Sequence, residues 1–593
     1  MIAKRQFGRK RKAKPKAAAK GDVAARVAHC NQSLTDEARA VYQQRICELE
    51  CSLSLLRTRT ENLRSQLRHF SQSEAHFKEL FDDAPIGYAV HNQAGISDGA
   101  ALPREHGRGQ TLFMLTNRTF ALMASLLGLC WTIFAEDHDR PADGVFNVLA
   151  YGARGDGTND DTASIQKTVE ACLAAGGGRV LLPPGRVFVA SAIRLRGNLD
   201  FHLARGTVLK ASDRWRDYGE AGALLFAKDA TGISISGTGT VDGNDRAVWQ
   251  RLADEQAGGD INKPDWWPQA FCGEWWPFGK KPGEKPKAGG RPRLVLLIGC
   301  RQVRLRDVTL RNAPSWTVHL AGCEEVEIES LTILNAWDVA NNDGLDLDHC
   351  RNVKVANCHL VCADDGIVIK NTPNFADYGR TERITVTGCT VASRSVALKV
   401  DEVYAPPGAR DIVFADCVVS RSNRGLCIQS RDEGDIENVL FGNIVIETQF
   451  QPHKWWGAAE PIHISHIPRT PQTKLGVLRH IRFRNIVCRG ENGVFLHGWE
   501  SSPLEDIAFD NVRLEVGRTS KEPCGFYDLR PAGVYKGIFE SKLAGVYARY
   551  VHGLTLKHTE VTWTNAPSTE YGEALDQSEI QGLLLEDFGR GGR

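Results

Sequence analysis

A short pattern of alternating apolar residues recurs between about residue 230 and residue 560, and it limits the fold more than any other feature. Each unit has an apolar run, a turn and a second run, as in Val303–Leu310 and Val326–Ile333. A period of two residues indicates half-buried strands. Units follow one another roughly every 23–30 residues, and a repeat of that size made of short strands predicts a solenoid whose neighbouring units complete each other's core.

The repeat length excludes two other repeat folds. A leucine-rich repeat needs a regular Leu/Asn consensus that this chain lacks, and a propeller blade needs about 40 residues. We therefore predict an all-β parallel β-helix over residues 144–565. Residues 566–593 are expected to form a C-terminal tail.

Six cysteines fall at similar places near the turns of the repeat. We expect their thiols to stack inside the coil as small apolar groups. Their irregular spacing has no CxxC pair, which speaks against a zinc site, and one or two disulfides are the alternative if the chain is exported. The six are Cys300, Cys323, Cys350, Cys358, Cys389 and Cys417.

An amphipathic helix is predicted just before the repeat. Asp160 or Asp161 would begin it, and it would run to about Ala175, where three glycines end it. A solenoid has an open first rung, and such a helix can cover it. The residues expected on its apolar face are Ile165, Val169, Cys172 and Leu173.

The segments before the repeat have other compositions. Residues 1–32 are basic, and we expect a disordered arm. Residues 33–112 carry leucines at helical spacing, which predicts a helical or coiled-coil segment, and residues 77–90 resemble the opening of a PAS sensory domain. Our hypothesis is that residues 1–113 are an upstream fusion or a mis-assigned start.

Residues 113–136 are predicted to be an export signal. Residues 120–135 are apolar throughout, and Met114 stands just before them. This length suits a signal-peptide core, which predicts a secreted or periplasmic enzyme. The alternative is an N-terminal membrane anchor, and any membrane contact would be made through this segment alone.

Two carboxylate clusters carry the chemistry of the chain. They are the segments Asn342–Gly344 and Asp364–Gly366, and each stands just before a short apolar strand. On adjacent rungs, about 4.8 Å apart, their three acids would share one patch of surface. Carboxylates crowd in this way where one keeps its proton and another is ionised. The alternative is that these aspartates bind a stabilising cation or cap turns.

These motifs resemble those of glycoside hydrolase family 28, the polygalacturonase-like enzymes, and residues 155–161 with 180–185 resemble the entry to the pectin-degrading β-helix superfamily. The resemblance implies a right-handed parallel β-helix that performs inverting hydrolysis of a pectic polysaccharide or oligosaccharide, without a cofactor or metal. It gives Asp364 as the general acid, and Asp343 with Asp365 as the pair that activates water. Inverting hydrolysis needs carboxyl groups about 6.5–9.5 Å apart, which adjacent rungs can span.

The next two rungs depart from the family pattern. Where the family carries Gly-His-Gly, the chain has Ser393–Ser395, and where it carries Arg-x-Lys it has Cys427–Gln429. We therefore predict a rhamnose-containing or neutral substrate rather than plain homogalacturonan. His463 could equally be a structural residue. The candidate substrate-binding residues are Asn342, Arg394, Lys399, Arg424, Gln429, Arg431, Trp455, Trp456 and His463.

Two other functions are open alternatives. A β-helix polysaccharide lyase would use an Arg or Lys base, for which Arg394 or Lys370 could serve. A non-catalytic carbohydrate-binding β-helix would keep the acids as remnants. The net charge of +1 gives no overall attraction to nucleic acid, so we expect no such partner, and we expect a monomer.

Overall fold

The computed structural model describes residue 141 and residues 144–252, 291–404, 406–451, 456–531 and 534–590. The predictions for residues 1–32, 33–112 and 113–136, and for Trp455, fall outside these ranges. Within them, no helix is both long enough and apolar enough to span a membrane.

The described elements are short strands with two helices. The first windings contain β1 (Val145–Asn147), β2 (Asp156–Asp160), α1 (Thr162–Ala174), β3 (Gly178–Leu182), β4 (Val187–Ala190), β5 (Ile193–Arg194), β6 (Leu199–Leu203), β7 (Val208–Ala211), β8 (Ala223–Lys228), β9 (Thr231–Gly237), β10 (Thr240–Asp242) and α2 (Asp245–Leu252). The central windings contain β11 (Arg293–Ile298), β12 (Arg301–Arg306), β13 (Thr309–Arg311), β14 (Val318–Ala321), β15 (Glu324–Glu329), β16 (Thr332–Leu334), β17 (Leu345–Asp348), β18 (Arg351–Ala356), β19 (His359–Cys362), β20 (Ile367–Asn371), β21 (Thr381–Thr387), β22 (Thr390–Ser393), β23 (Val396–Val403), β24 (Ala409–Ala415), β25 (Val418–Ser422) and β26 (Arg424–Ser430). The last windings contain β27 (Ile436–Thr448), β28 (Ile462–His466), β29 (Leu478–Gly490), β30 (Val494–His497), β31 (Leu504–Val516), β32 (Phe526–Asp528), β33 (Ile538–Glu540), β34 (Val546–Trp563), β35 (Leu575–Glu586) and β36 (Gly589–Arg590). Short 3₁₀ helices cover Val148–Tyr151, Trp215–Ala221 and Pro373–Tyr378.

Thirty-four of the strands form one sheet that winds into a right-handed parallel β-helix. The strands stack in columns, because each pairs with the strand one coil earlier and one coil later. The column that matters for function, here called the third stack, runs through β14, β17, β20, β23, β26, β28 and β30. The predicted fold class is confirmed.

The interior is filled by like residues from successive coils. Phe414, Phe441, Phe483 and Phe509 stand in register and stack with ring centroids 4.6–5.1 Å apart. Each such ring buries apolar area against its neighbours above and below, which stabilises the rung-to-rung contact. The six cysteines of the repeat are buried as free thiols, in agreement with the apolar stacking predicted for them.

The capping helix α1 lies on the first rungs, with Ile165, Val169 and Cys172 buried. Leu173 was expected on the same face but is 42% exposed, because it lies at the outer edge of the apolar stripe. Asp161 stands at the predicted N-cap. Its carboxylate accepts hydrogen bonds from the N–H groups of Arg154 and Gly155 instead of from the helix.

The sheet continues past the predicted boundary at residue 565. Strand β35 pairs in parallel with β34, from Val546↔Leu575 to Lys557↔Glu586, and β36 pairs with β34 as well. The expectation of a separate tail at residues 566–593 is therefore wrong for the described residues up to 590. The exposed edge of β34 offers unpaired backbone groups, and β35 satisfies them.

Candidate active site

Glycines bring the two predicted acidic turns together on the third stack. Gly344 N–H donates to the carbonyl of Asp365, and Gly366 N–H donates to that of Val396. A methyl group at Gly366 would lie 2.5 Å from the carbonyl oxygen of Ala397, and one at Gly344 would overlap the carbonyl of Gly366. The glycine of each motif is therefore needed for close approach of the rungs.

Asp343, Asp364 and Asp365 meet at one point, as predicted. Each has a carboxylate oxygen within 4.8 Å of the others. Asp343 and Asp365 are buried, whereas Asp364 is half-buried. The nearest oxygens of these groups thus lie closer together than the 6.5–9.5 Å expected between whole carboxyl groups. Three carboxylates at this distance could also share a cation.

The acids stand in an open cleft. Five acidic, three basic and two aromatic side chains are among its lining residues. The lining residues are Trp316, Asn341, Asp343, Asp364, Asp365, Lys370, Ser395, Lys399, Asp401, Glu402, Arg431, Trp456 and Pro531.

Hydrogen bonds to Asn341 and Asn342 hold Asp364 and its turn in place. The backbone N–H of Asn341 donates to Oδ2 of Asp364 at 3.2 Å. The side-chain oxygen of Asn342 accepts from the N–H groups of Ala363, at 2.7 Å, and Asp364, at 3.3 Å. Asn342 is fully buried, so its predicted role in substrate binding is wrong. Its hydrogen bonds hold the turn that carries the acid.

Asp365 is held by a serine and a lysine from the next rung. Ser395 donates from Oγ to Oδ1 at 3.1 Å, and the Lys399 ammonium lies 3.0 Å from Oδ2. Lys399 also pairs with Asp401 at 2.8 Å. Although burial opposes the charge, these two carboxylates raise the pKa of Lys399 above its ordinary value. Lys399 lines the cleft, as expected of a binding residue, but its charge is already paired within the protein.

A second buried ammonium, that of Lys370, lies on the Asp343 side. It is 3.0 Å from Asp346 and 3.7 Å from Asp343, and it sits 3.9 Å from the ring centre of Trp316. The sequence indicated Lys370 only as a candidate base for the alternative lyase, and the place of Asp346 in the site was not predicted. Alternation in Leu345–Asp348 was the available signal, because it turns Asp346 toward the face that carries the acids.

Crowding and burial favour protonated acids in this site. Burial, followed by the neighbouring carboxylate of Asp346, raises the pKa of Asp343 well above its ordinary value. Burial and then the Asp365 carboxylate raise the pKa of Asp364 to about 7. Burial likewise raises the pKa of Asp346 to about 6, against the opposing effect of Lys370. Asp343, Asp346 and Asp364, taken together, therefore hold protons near neutral pH.

Two of the predicted binding residues, Arg431 and Trp456, line the cleft. Arg431 is 6% exposed and lines the cleft, with its guanidinium 3.6 Å from Asp401. Its Nε is buried without a hydrogen-bond partner among the described residues. Trp456 lines the same cleft and is half-buried.

Three others do not reach it, so their predicted role in substrate binding is wrong. Arg424 is 1% exposed and donates to Glu460 at 3.2 Å. His463 is fully buried between Glu460 and Ser465, which is the structural role considered for it. Gln429 is buried, and its side-chain amide donates to the carbonyl of Arg530 at 3.2 Å.

Arg394 is turned away from the acids as well. Its guanidinium donates to the carbonyl of Trp337 at 3.1 Å, and it is not among the residues that line the described cleft. The family histidine position is thus filled by a residue that binds backbone, and its neighbour Ser395 is the one that contacts an acid.

Comparison with known proteins agrees with this geometry. The family described as glycosyl hydrolases family 28 matches residues 184–527. The chain belongs to this family. Among its relatives, a probable polygalacturonase of Vitis vinifera is 24% identical over 405 residues, which cover 63% of this chain and 75% of the relative. An exo-poly-alpha-D-galacturonosidase of Dickeya chrysanthemi is 29% identical over 255 residues, which cover 38% of this chain and 41% of the relative.

Solved structures support the same fold. A hyperthermoactive exopolygalacturonase from Thermotoga maritima gives a TM-score of 0.52 at 24% identity, and the match covers 63% of this chain and 87% of that one. A family 28 exopolygalacturonase from Yersinia enterocolitica gives 0.56 at 16% identity, with 74% and 78% covered. The predicted membership in glycoside hydrolase family 28 is confirmed.

Proposed function

We propose that this protein hydrolyses glycosidic bonds in a pectic polysaccharide with Asp364 as the general acid. The observation that carries the proposal is the meeting of Asp343, Asp364 and Asp365 within 4.8 Å of one another. Lys370 and Lys399 lie on either side of this group. Acid and base groups with different surroundings are what such hydrolysis requires.

Asp364 is the member suited to donate a proton. It is the most exposed of the three, and none of the described residues forms an ion pair with it within 4 Å. Burial and the Asp365 carboxylate raise its pKa to about 7, so it keeps its proton under mildly acidic conditions. An acid that is protonated near the working pH is an efficient donor to a leaving oxygen.

The carboxylate of Asp365 is held in place, because Ser395 and the Lys399 ammonium each bind one of its oxygens. In the proposed step, Asp364 gives its proton to the glycosidic oxygen and the bond from that oxygen to the anomeric carbon breaks. A water oxygen bonds to the same carbon, and its proton passes to Asp365 or Asp343. Oxygens up to 4.8 Å apart can be bridged by one water at ordinary hydrogen-bond lengths of about 2.8 Å.

This use of water predicts inversion at the anomeric carbon. The carboxylate spacing by itself resembles the separation of about 5–5.5 Å in retaining enzymes, which use a carboxylate as nucleophile. Asp365 is a poor nucleophile here, since both of its oxygens are bound. Proton NMR of the first product decides the point: the anomer opposite to that of the substrate is expected, and the same anomer would indicate a covalent intermediate.

The substrate is proposed to carry a carboxylate near Arg431. Arg431 is buried at the cleft, and its Nε has no hydrogen-bond partner among the described residues. Burial of an arginine with unused donors favours an anionic ligand. In this proposal Arg431 takes the role of the family's Arg-x-Lys pair, whose positions here hold Cys427 and Gln429. It favours an acidic sugar over the rhamnose-containing or neutral substrate predicted from the sequence.

One experiment separates the candidate functions. A panel of free-acid, methyl-esterified, rhamnose-containing and neutral pectic substrates is digested in ¹⁸O-labelled water. A hydrolase gives labelled reducing ends, a lyase gives unsaturated products that absorb ultraviolet light, and a carbohydrate-binding protein gives neither.

The acid assignment is tested by Asp364→Asn. We expect a loss of activity of about 10³-fold, because the general acid is removed. The control is Asp377→Asn at an exposed position of the 3₁₀ helix Pro373–Tyr378, which should keep full activity. Undiminished hydrolysis by a folded Asp364→Asn protein would contradict the assignment.

A further inference from the structure

One acid in the described cleft is partly exposed and has no part in the proposed hydrolysis. Of the five acids that line the cleft, only Asp364 and Glu402 are half-buried, and the other three are buried. Asp364 donates the proton in the proposed step, whereas no step uses Glu402. The side chain of Glu402 is 24% exposed. Its carboxylate is therefore placed to meet a sugar bound in the cleft.

A β-bulge in β23 brings Glu402 to the cleft. The pairing of β20 with β23 shifts by one residue after Ile369↔Val400, so Asp401 and Glu402 together stand opposite Lys370. A bulge of this kind bends the strand and changes the direction of a side chain, and bulges are common beside active sites. Glu402 also has a φ of 53°, in the left-handed region that is costly for a residue with a Cβ. Backbone strain is thus tolerated at the position that adds a carboxylate to the cleft.

The nearest cation, Lys370, does not use up the carboxylate of Glu402. The ammonium lies 3.0 Å from Asp346 and 3.9 Å from the ring centre of Trp316. It is 3.6 Å from Glu402, which is longer than a hydrogen bond. Among the residues that the structure describes, no hydrogen bond reaches the carboxylate oxygens of Glu402. These oxygens therefore keep their capacity to accept hydrogen bonds from a ligand.

Arg431 offers the opposite chemistry on the next coil. It directly follows β26, which pairs with β23, so Arg431 and Glu402 stand on adjacent coils at a spacing of about 4.8 Å. The Nε of Arg431 is the buried donor proposed above to meet a substrate carboxylate. A sugar chain that crosses both coils thus meets a cationic group on one and an anionic group on the other.

We propose that Glu402 is a specificity-determining residue that binds an uncharged unit of the pectic chain, next to the uronate held by Arg431. A carboxylate accepts hydrogen bonds from sugar hydroxyls, and it repels the carboxylate of a uronate at the same place. Repulsion of this kind selects a substrate by penalising its competitor. A neutral sugar and a methyl-esterified uronate both meet the requirement, because both lack the charge. The inference rests on the proposed function and adds a second requirement to its substrate.

The test compares kcat/KM for pectic oligosaccharides of equal length. One is built of free galacturonate, one is its partly methyl-esterified form, and one alternates galacturonate with a neutral sugar. We expect at least one mixed substrate to exceed the free-acid substrate by about 10-fold, and the better of the two identifies the uncharged unit. A free-acid substrate that is hydrolysed as well as both mixed ones would overturn the inference. Absence of hydrolysis of all three would instead contradict the proposed function.

The direct variant is Glu402→Gln, which keeps the shape of the side chain and removes its charge. We expect the preference for the mixed substrate to fall about fivefold or more, because the free-acid substrate is no longer repelled. If Glu402 only supported Lys370, kcat would fall alike on all substrates and the preference would stay, which would overturn the inference. Glu500→Gln removes the same charge at an exposed position and should keep the preference of the wild type.

A second measurement needs no variant. Because Glu402 is partly exposed, added NaCl screens its charge, and the preference of the wild-type protein for the mixed substrate should decrease between about 0.05 and 0.5 M salt. Both substrates offer a uronate to Arg431, so screening at Arg431 affects them alike. A preference that does not change with salt would overturn the inference.

Discussion

The acid half of the cleft and its recognition half are built on the same backbone repeat but hold their side chains differently. In the acid half, on the turns before β17 and β20, short carboxylates stand directly on glycine-backed turns. In the recognition half, on β26, two long side chains leave the cleft. Arg424 and Gln429 there bind backbone carbonyls of the insertion between β31 and β34 instead.

The difference concerns the reach of a side chain. An aspartate has little freedom once its turn is placed, so the register of two rungs fixes where its oxygens lie. An arginine can reach partners many residues away, and Arg424 reaches a carbonyl that is 104 residues distant in sequence. The position of a residue along the solenoid therefore determines where a short side chain places its polar atoms, but not where a long side chain does.

The strongest test of the acid half is Lys399→Met, which keeps the volume and removes the charge. We expect kcat to fall about 10²-fold, because Asp365 loses the ammonium that holds its carboxylate in place. Stability should fall by about 3–5 kcal/mol, the usual cost of leaving a buried charge unpaired. Steady-state kinetics and urea unfolding measure both. Lys354→Met on the exposed side of β18 is the matched control, and equal effects in the two proteins would contradict the role of Lys399.

A smaller effect is expected for Asn342→Ala. The change removes the oxygen that accepts from the N–H groups of Ala363 and Asp364, so the acid shifts. We expect kcat to fall about 10- to 100-fold with little change in KM, because Asn342 does not contact substrate. Initial-rate kinetics check this, with Asn374→Ala at an exposed position as the control. A selective rise in KM would restore the binding role predicted from the sequence.

The raised pKa of Asp364 gives a signed dependence of stability on pH. Unfolded, this group ionises near its ordinary pKa of 3.8, whereas in the folded protein it does so near 7. Between these values the folded state binds more protons, so stability contributed at low pH is lost as pH rises through this window. Asp364→Asn should therefore gain about 2–4 kcal/mol relative to wild type between pH 4 and pH 8. Urea unfolding of both proteins across this range measures the difference, and a constant difference would show that Asp364 is not the raised group.

The smallest effect is expected in the recognition half. Gln429→Ala removes one hydrogen bond to the carbonyl of Arg530, worth about 1 kcal/mol. We expect KM to rise about threefold while kcat stays unchanged, since the insertion between β31 and β34 loosens but the acids do not move. The exposed Gln577→Ala is the control. A large fall in kcat would mean that the two halves are coupled more closely than their contacts indicate.

The sequence was sufficient to predict the coil and the acids. The period of the strands, the glycines after Asp343 and Asp365, and the buried cysteines all follow from contacts between one rung and the next. Such contacts repeat along the chain, so a local pattern predicts them. Boundaries were less certain, as β35 shows, because a strand that pairs only with the last rung need not follow the repeat.

The partners of the charged residues were not predictable in the same way. Lys370, Asp401 and Glu402 contribute to the site through pairs between rungs that alternation suggests but does not identify. Asp528 reaches Gly457 across 71 residues, and only the packing of the insertion between β31 and β34 brings them together. Several acids lie near each base, so the sequence alone does not show which acid a given base pairs with.

The glycine contacts between rungs also limit how such an enzyme can change. Because a methyl group at Gly366 would lie 2.5 Å from the carbonyl of Ala397, the two acidic turns have no adjustable spacer between them. The distance between the acids can change only by whole coils, in steps of about 4.8 Å. Diversification toward new substrates is thereby directed to the insertions between strands, which can lengthen without altering the pitch of the coil.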